Sequence, residues 1–181
     1  MNGIVIRDYA EADRAAVNAV ALAAFAQYAG DYDDWPAFSA GIGSMADLAR
    51  DGDLLVAERG GRVAGAVVHV GPGRPRSNIY PDDWSVLRML VVDPAARGGG
   101  IGRALVDAAL DRARRAAAPA VGLHTSPIMA AALRMYLAIG FVREHDLPPI
   151  RGVPYARYVL PLPLPLPGAA RNGLRSLSSS R

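Results

Sequence analysis

Four glycines stand within five positions at Gly98-Gly99-Gly100-Ile101-Gly102, between an apolar strand and a long helical pattern. The strand is the run from Ser85 to Val92, stopped by Asp93-Pro94 because the residue before a proline avoids helical geometry. The helix is predicted from Gly100 to about Ala117, with Ile101, Leu105, Ala108 and Ala109 on one face and Arg103, Asp107, Asp111 and Arg114 on the other. Glycines at such a junction let backbone N–H groups converge beside the positive end of the helix dipole, a point that attracts phosphate. A strand–helix connection of this composition also exists without any ligand. The flanking Arg97 and Arg103 weigh toward a pyrophosphate site.

Two common phosphate ligands are excluded. All 20 basic residues are arginine, so neither a P-loop lysine nor a Schiff-base lysine exists. A dinucleotide fingerprint needs a third glycine in sixth position, where Arg103 (counting from Gly98) or Leu105 (from Gly100) stands, and the cluster follows the fourth strand rather than the first.

Around this junction the chain reads as alternating elements. Ile4 to Arg7 is a short strand, and Val17, Val20, Ala21, Ala24 and Tyr28 recur at helical spacing. A second helical pattern through Phe38, Ile42, Met45 and Leu48 is interrupted by Gly41 and Gly43. Leu54 to Arg59 and Arg62 to Val70 are β-type runs joined by Gly60-Gly61, which predicts a hairpin. After Val92 come the helix, a short strand Ala120 to Thr125, a helix marked by Met129, Ala132, Leu133 and Tyr136 and ended by Gly140, and strands Phe141 to His145 and Val153 to Leu160. The order is β-α-α-β-β-β-α-β-α-β-β, a mixed α/β (α+β) arrangement with some parallel pairing. A domain over 1–161 is expected, followed by a Pro/Leu then Ser/Arg-rich tail over 162–181 expected to be disordered.

Composition adds exclusions. With 181 residues, 51% of them hydrophobic, the chain can bury one sizeable core. The absence of cysteine removes disulfides, thiolate zinc sites and cysteine nucleophiles, no metal is expected, and a cytoplasmic location is the expectation. No apolar run approaches a membrane span, and no export signal is expected at Met1-Asn2-Gly3-Ile4. The net charge of +3 without a basic, aromatic-interleaved stretch argues against a nucleic-acid partner.

The segment Arg97-Gly98-Gly99-Gly100-Ile101-Gly102, led in by Val92-Asp93-Pro94 and followed by Leu105, resembles the coenzyme A motif of the GNAT N-acetyltransferase superfamily. Tyr136-Leu137-Ala138-Ile139-Gly140-Phe141 resembles that family's second signature, at the expected separation. The resemblance covers roughly residues 4 to 161. It implies a central mixed, mostly antiparallel sheet of about seven strands with about four helices, and splayed fourth and fifth strands that receive acetyl-CoA as co-substrate. The pantetheine would pair with the backbone of Leu90, Val91 and Val92, and the pyrophosphate would sit on the amides of Gly98, Gly99, Gly100, Ile101, Gly102, Arg103 and Ala104, with Arg97 and Arg103 as counter-charges. The position near Met129, often Asn in that family, is apolar here, so the side-chain bond usually made there is not expected.

The implied chemistry is direct attack of an amine on a thioester. Tyr136 is the candidate acid for the departing thiolate, the more so if its pKa is shifted to ease the transfer; the alternative is a core tyrosine. That family often carries a Glu near the start of the fourth strand, and none stands here. Asp83, His124 or His69 could activate the amine through a water. The alternatives are a turn or cap residue for Asp83 and a sheet histidine for His124, while His69 is expected to be a sheet histidine. Thr125 and Ser126 read as caps for a helix beginning near Pro127. Tyr28, Tyr32, Trp35, Tyr80 and Tyr155 are expected to line the acceptor pocket. There Asp31, Asp33 and Asp34 would suit a cationic amine, and Arg74, Arg76 and Arg151 an anionic portion. The partner is then a small-molecule or peptide amine, with no membrane partner and a homodimer compatible. The alternative is a non-catalytic acyl-CoA-binding or regulatory module that keeps the fold.

Overall fold

Gly60 and Gly61, at φ of 59° and 74°, reverse the chain between β2 (Asp53–Arg59) and β3 (Arg62–Val70) in a left-handed turn that residues without a Cβ adopt at no steric cost. In the computed structural model, which describes residues 3–163, that hairpin is the centre of one half of a seven-stranded sheet. β1 (Ile4–Asp8) pairs on its outer side, and β4 (Ser85–Val92), β5 (Ala120–Thr125), β6 (Val142–Ile150) and β7 (Val153–Pro161) complete the order β1-β2-β3-β4-β5-β7-β6. Every neighbouring pair is antiparallel except β4 and β5.

Four α-helices lie among the described residues: α1 (Arg14–Phe25), α2 (Trp35–Ile42), α3 (Ile101–Arg115) and α4 (Ala130–Ile139). α1 and α2 cover one face of the sheet, burying Val17, Ala21 and Ile42 against Val68 and Val86. α3 and α4 cover the other, where Ile101, Leu105, Val106 and Ala109 pack on Leu55, Val67 and Val121. Each of the buried Val, Leu and Ile side chains contributes roughly 1.5–3 kcal/mol by leaving water.

The expected architecture is present, with three local differences. The second helical pattern is two pieces: α2 stops at Ile42, Gly43 caps it, and the chain continues as a 3₁₀ helix over Met45–Arg50. α4 begins at Ala130 rather than near Pro127, with the Ser126 hydroxyl accepting from the Ile128 amide at 3.4 Å in the preceding turn. β6 runs through Pro148 and Pro149 to Ile150, well past His145, because it is the edge strand and needs no ladder donors on its outer side. Its register slips between Leu147 and Ile150, where the prolines stand.

Leu162 is buried and donates its amide to the Pro119 carbonyl at 2.9 Å, so it packs with the sheet and its helices. The rest of the expected tail, from residue 164, lies outside the described residues. No described helix is long and apolar enough to cross a membrane.

Candidate active site

β4 and β5 pair at two positions only, Ser85 with Val121 and Val86 with Gly122, and then part. The divergence starts where Gly122 lets the ring of Tyr80 lie on the strand. A Cβ there would meet the ring at 2.6 Å. On its other side β4 carries a bulge: Val68 faces Arg88 and Ala66 faces Val91, so three steps along β4 match two along β3. Met89 takes up the extra residue at φ of 52°, a left-handed conformation that costs a side-chain-bearing residue roughly 1–2 kcal/mol. The bulge frees backbone from the ladder at the point where β5 has already turned away.

Two cavities open from this gap. The larger, about 550 Å³, runs from Leu90, Val91 and Val92 to the start of α3. Gly98 and Gly100 hold φ of 78° and 80°, and Gly100 caps α3 without a side chain. The Ala104 amide is the first to close into the helix, donating to the Gly100 carbonyl at 3.0 Å, so the free amides are those of Ile101, Gly102 and Arg103. Of the residues expected around the pyrophosphate, Arg97, Gly98, Gly100, Ile101, Gly102 and Arg103 line this cavity, whereas Gly99 and Ala104 do not. Gly99 instead turns toward Arg59, whose guanidinium a Cβ would meet at 2.7 Å.

The cations are distributed unevenly. Arg97 donates to the Ala24 carbonyl at 3.2 Å, tying the cradle to the end of α1, and Arg103 pairs with Asp107 at 2.9 Å on the exposed helix face. Arg134 on α4 adds a third guanidinium to the lining, with no ion pair among the described residues. Its position one turn beyond Ala130, on the helix that faces the motif, is the signal that sequence reading passed over.

The smaller cavity, about 170 Å³, lies between β4, β5 and the aromatic end of α1. It shares Phe25, Leu90, Met129 and Ala132 with the larger one, so the two meet at the splay. Tyr136 lines it. Gly140, at φ of 114°, ends α4, and the Phe141 amide returns to the Tyr136 carbonyl at 3.0 Å. That closure sets the Phe141 ring edge-on to Tyr136 with centroids 5.7 Å apart, which fixes the tyrosine. Its hydroxyl has no partner among the described residues, yet no buried polar side-chain atom there is left unsatisfied, so the hydroxyl opens into the cavity. Burial pushes the phenol above its ordinary value, which keeps it protonated. The shift is therefore opposite to one that would ease transfer of the proton.

His124 lines the same cavity from β5, with Nδ1 2.8 Å from the Tyr80 hydroxyl. Burial, reinforced by the charge of Arg88, holds its pKa below the ordinary histidine value, so the ring is neutral near pH 7. Tyr155 lines the cavity, but Tyr32 and Trp35 do not. Tyr32 stacks on Phe38 at 3.9 Å and hydrogen-bonds Tyr155 from behind, and Trp35 packs beside it. Tyr80 likewise stands behind His124, and Tyr28, expected on the acceptor side, lines the larger cavity.

None of the charged residues expected around the acceptor lines the smaller cavity, and Arg151, Asp34 and Arg76 are engaged elsewhere. Arg151 pairs with Asp34 at 3.1 Å, and its carbonyl accepts from the Asp33 amide at 2.8 Å, which ties the β6–β7 turn to the start of α2. Arg76 is clasped by the carbonyls of Trp84 and Gly71. Asp83 is exposed, makes no side-chain hydrogen bond among the described residues and lines neither cavity. His69 bonds Asp53 at 3.2 Å and Ser85 at 3.0 Å; though they form an Asp–His–Ser chain, neither Ser85 nor His69 lines either of these two cavities, and the chain ties β3 to β2 and β4. The cation that does line the acceptor cavity is Arg88, an arginine inside an apolar strand that sequence reading treated as part of the core.

Residues 15–141 match the acetyltransferase (GNAT) family. A stretch of 90 residues, half of this chain, is 36% identical to mycothiol acetyltransferase of Thermomonospora curvata and spans 28% of that protein's length. The yncA protein of Salmonella typhimurium, whose structure holds its cofactor acetyl-CoA, superposes with a TM-score of 0.66 at 22% identity, covering 94% of this chain and 100% of that one. A GNAT family acetyltransferase of Brucella melitensis, solved in complex with acetyl-CoA, does so with a TM-score of 0.63 at 24% identity over 92% and 93% of the two chains. At such identities these structures speak for the fold, and the match over residues 15–141 for the lineage. The chain belongs to the acetyltransferase (GNAT) family.

Proposed function

We propose that the protein is an acetyl-CoA-dependent N-acetyltransferase that passes the acetyl group directly to a primary amine. The observation that carries this is the meeting of two cavities at Leu90, Met129 and Ala132: one ends on a phosphate-type cradle, the other on the open hydroxyl of Tyr136. The free amides of α3 and the cations of Arg97, Arg103 and Arg134 suit the pyrophosphate, and the unpaired edge of β4 suits the pantetheine.

The amine attacks the thioester carbonyl, and backbone freed by the bulge at Met89 and Leu90 is positioned to polarise that carbonyl. His124, neutral and with Nε2 unengaged among the described residues, accepts the amine's proton directly or through water. Tyr136 donates a proton to the leaving thiolate. A phenol raised by burial is a weak acid, but a thiolate expelled into the same apolar cavity is raised for the same reason, which narrows the gap between them.

One observation favours the alternative of a non-catalytic acyl-CoA-binding module: no carboxylate among the described residues lines either cavity. Free-thiol release from acetyl-CoA across a panel of primary amines separates the two. Amine-dependent release supports the transferase. Tight acetyl-CoA binding with no release for any amine overturns it.

A further inference from the structure

Arg88 is the one charged side chain in β4, flanked by Leu87, Met89 and Leu90. It stands opposite Val68, which belongs to the core beneath α1 and α2, and cross-strand partners share a face. The bulge after Arg88 lets Met89 pack into that same core, so two consecutive residues serve the acceptor side of the strand. Both line the smaller cavity. Among the described residues Arg88 makes neither an ion pair nor a side-chain hydrogen bond, in contrast to Arg76, Arg97, Arg103, Arg151 and Arg157. Its charge nevertheless bears on His124 and on Tyr80, lowering the proton affinity of both.

A half-buried guanidinium lining a cavity with no carboxylate among the described residues is a partly desolvated fork of donors without a protein acceptor there. It would also repel an amine that arrives with only its positive charge. Both difficulties vanish if the acceptor brings its own anion. Apart from His124, Thr125, Tyr136 and Tyr155 the remaining wall is apolar, with Phe25, Phe38, Ile42 and Ile150 gathered on it, and the cavity is small.

Resting on the N-acetyltransferase reading, we propose that the acceptor is a small amine carrying a carboxylate, of the apolar α-amino acid class. Arg88 is its carboxylate receptor and the apolar wall its side-chain site. A planar guanidinium takes a carboxylate in a two-pronged hydrogen bond, which orients the α-amine as well as holding it.

The test compares leucine, leucinamide and isoamylamine, which differ at the carboxylate alone, in thiol release by the wild type and by Arg88→Gln. Leucine is expected to be preferred over the other two by about 30-fold or more in kcat/KM, and the preference to collapse in Arg88→Gln. Equal rates for leucine and isoamylamine in the wild type, or a preference that survives the substitution, overturn the proposal. Calorimetric binding of N-acetylleucine in the presence of CoA needs no turnover, so it reads the carboxylate site even if no amine is acetylated. Affinity lost in Arg88→Gln supports the site, and affinity unchanged or absent in the wild type overturns it.

Discussion

The Tyr80 hydroxyl lies 2.8 Å from Nδ1 of His124, and this bond leaves Nε2 as the ring nitrogen available to the acceptor cavity. Burial raises the Tyr80 phenol, so it stays protonated and can either donate to Nδ1 or accept from it. Only the second arrangement leaves a lone pair on Nε2, as a base requires.

That geometry has a direct spectroscopic consequence. Burial and Arg88 both disfavour the imidazolium of His124, so its NMR titration midpoint should lie below the ordinary value near ~6.5, and Arg88→Gln should move it upward. Tyr80→Phe should lower kcat while leaving CoA affinity intact, because Tyr80 touches His124 and not the larger cavity. A His124 midpoint unmoved by Arg88→Gln would show that the guanidinium does not face the ring.

The phosphate cradle separates into two kinds of glycine. At Gly102 an added Cβ would meet Val92 and Met135 at ordinary distances of 3.6 and 3.8 Å, so Gly102→Val should fold and lose CoA affinity by obstruction of the cavity. At Gly100 φ is positive, and Gly100→Ala should lower stability by roughly 1–2 kcal/mol besides any effect on binding. Calorimetry with CoA and thermal melts check both. Arg97→Ala should cost less CoA affinity than Gly102→Val, since the amides remain.

His69 makes stability fall on the acid side. Its pKa is lowered, chiefly by burial and in spite of Asp53, so the unfolded chain takes up a proton near ~6.5 while the folded one does so only at lower pH. Full stability is therefore present above that value and erodes as pH falls toward the folded pKa. Denaturant melts between pH 7 and 5 should show the decline, and His69→Gln should reduce it; His124, whose pKa is lowered in the same direction, adds a slope of the same sign.

What was legible in the sequence was local. Gly98 to Gly102, Gly60-Gly61 and the Gly140-Phe141 end of α4 each state a backbone conformation, and the structure has left-handed glycines at Gly60, Gly61, Gly98, Gly100 and Gly140. The acceptor side was legible only at His124, Tyr136 and Tyr155, because its cavity is assembled from α1, α2, α4, β4, β5 and the adjoining ends of β6 and β7, whose proximity depends on tertiary packing. Asp33, Asp34 and Arg151 seemed to be substrate charges because their mutual ties span more than a hundred residues. Arg88 was hidden by its apolar neighbours, and the β6 prolines by an edge position that no local pattern reveals.

The most direct measurement is the first-turnover rate of Tyr136→Phe with saturating acetyl-CoA and an accepted amine. The substitution keeps the ring against Phe141 and removes a hydroxyl that has no partner among the described residues, so melting temperature and CoA affinity should stay near wild type. With Tyr136 as the proton donor the first turnover should slow by ~10²–10⁴-fold. A first turnover as fast as wild type in a stable, CoA-binding variant would contradict that role and place the proton with water or another group.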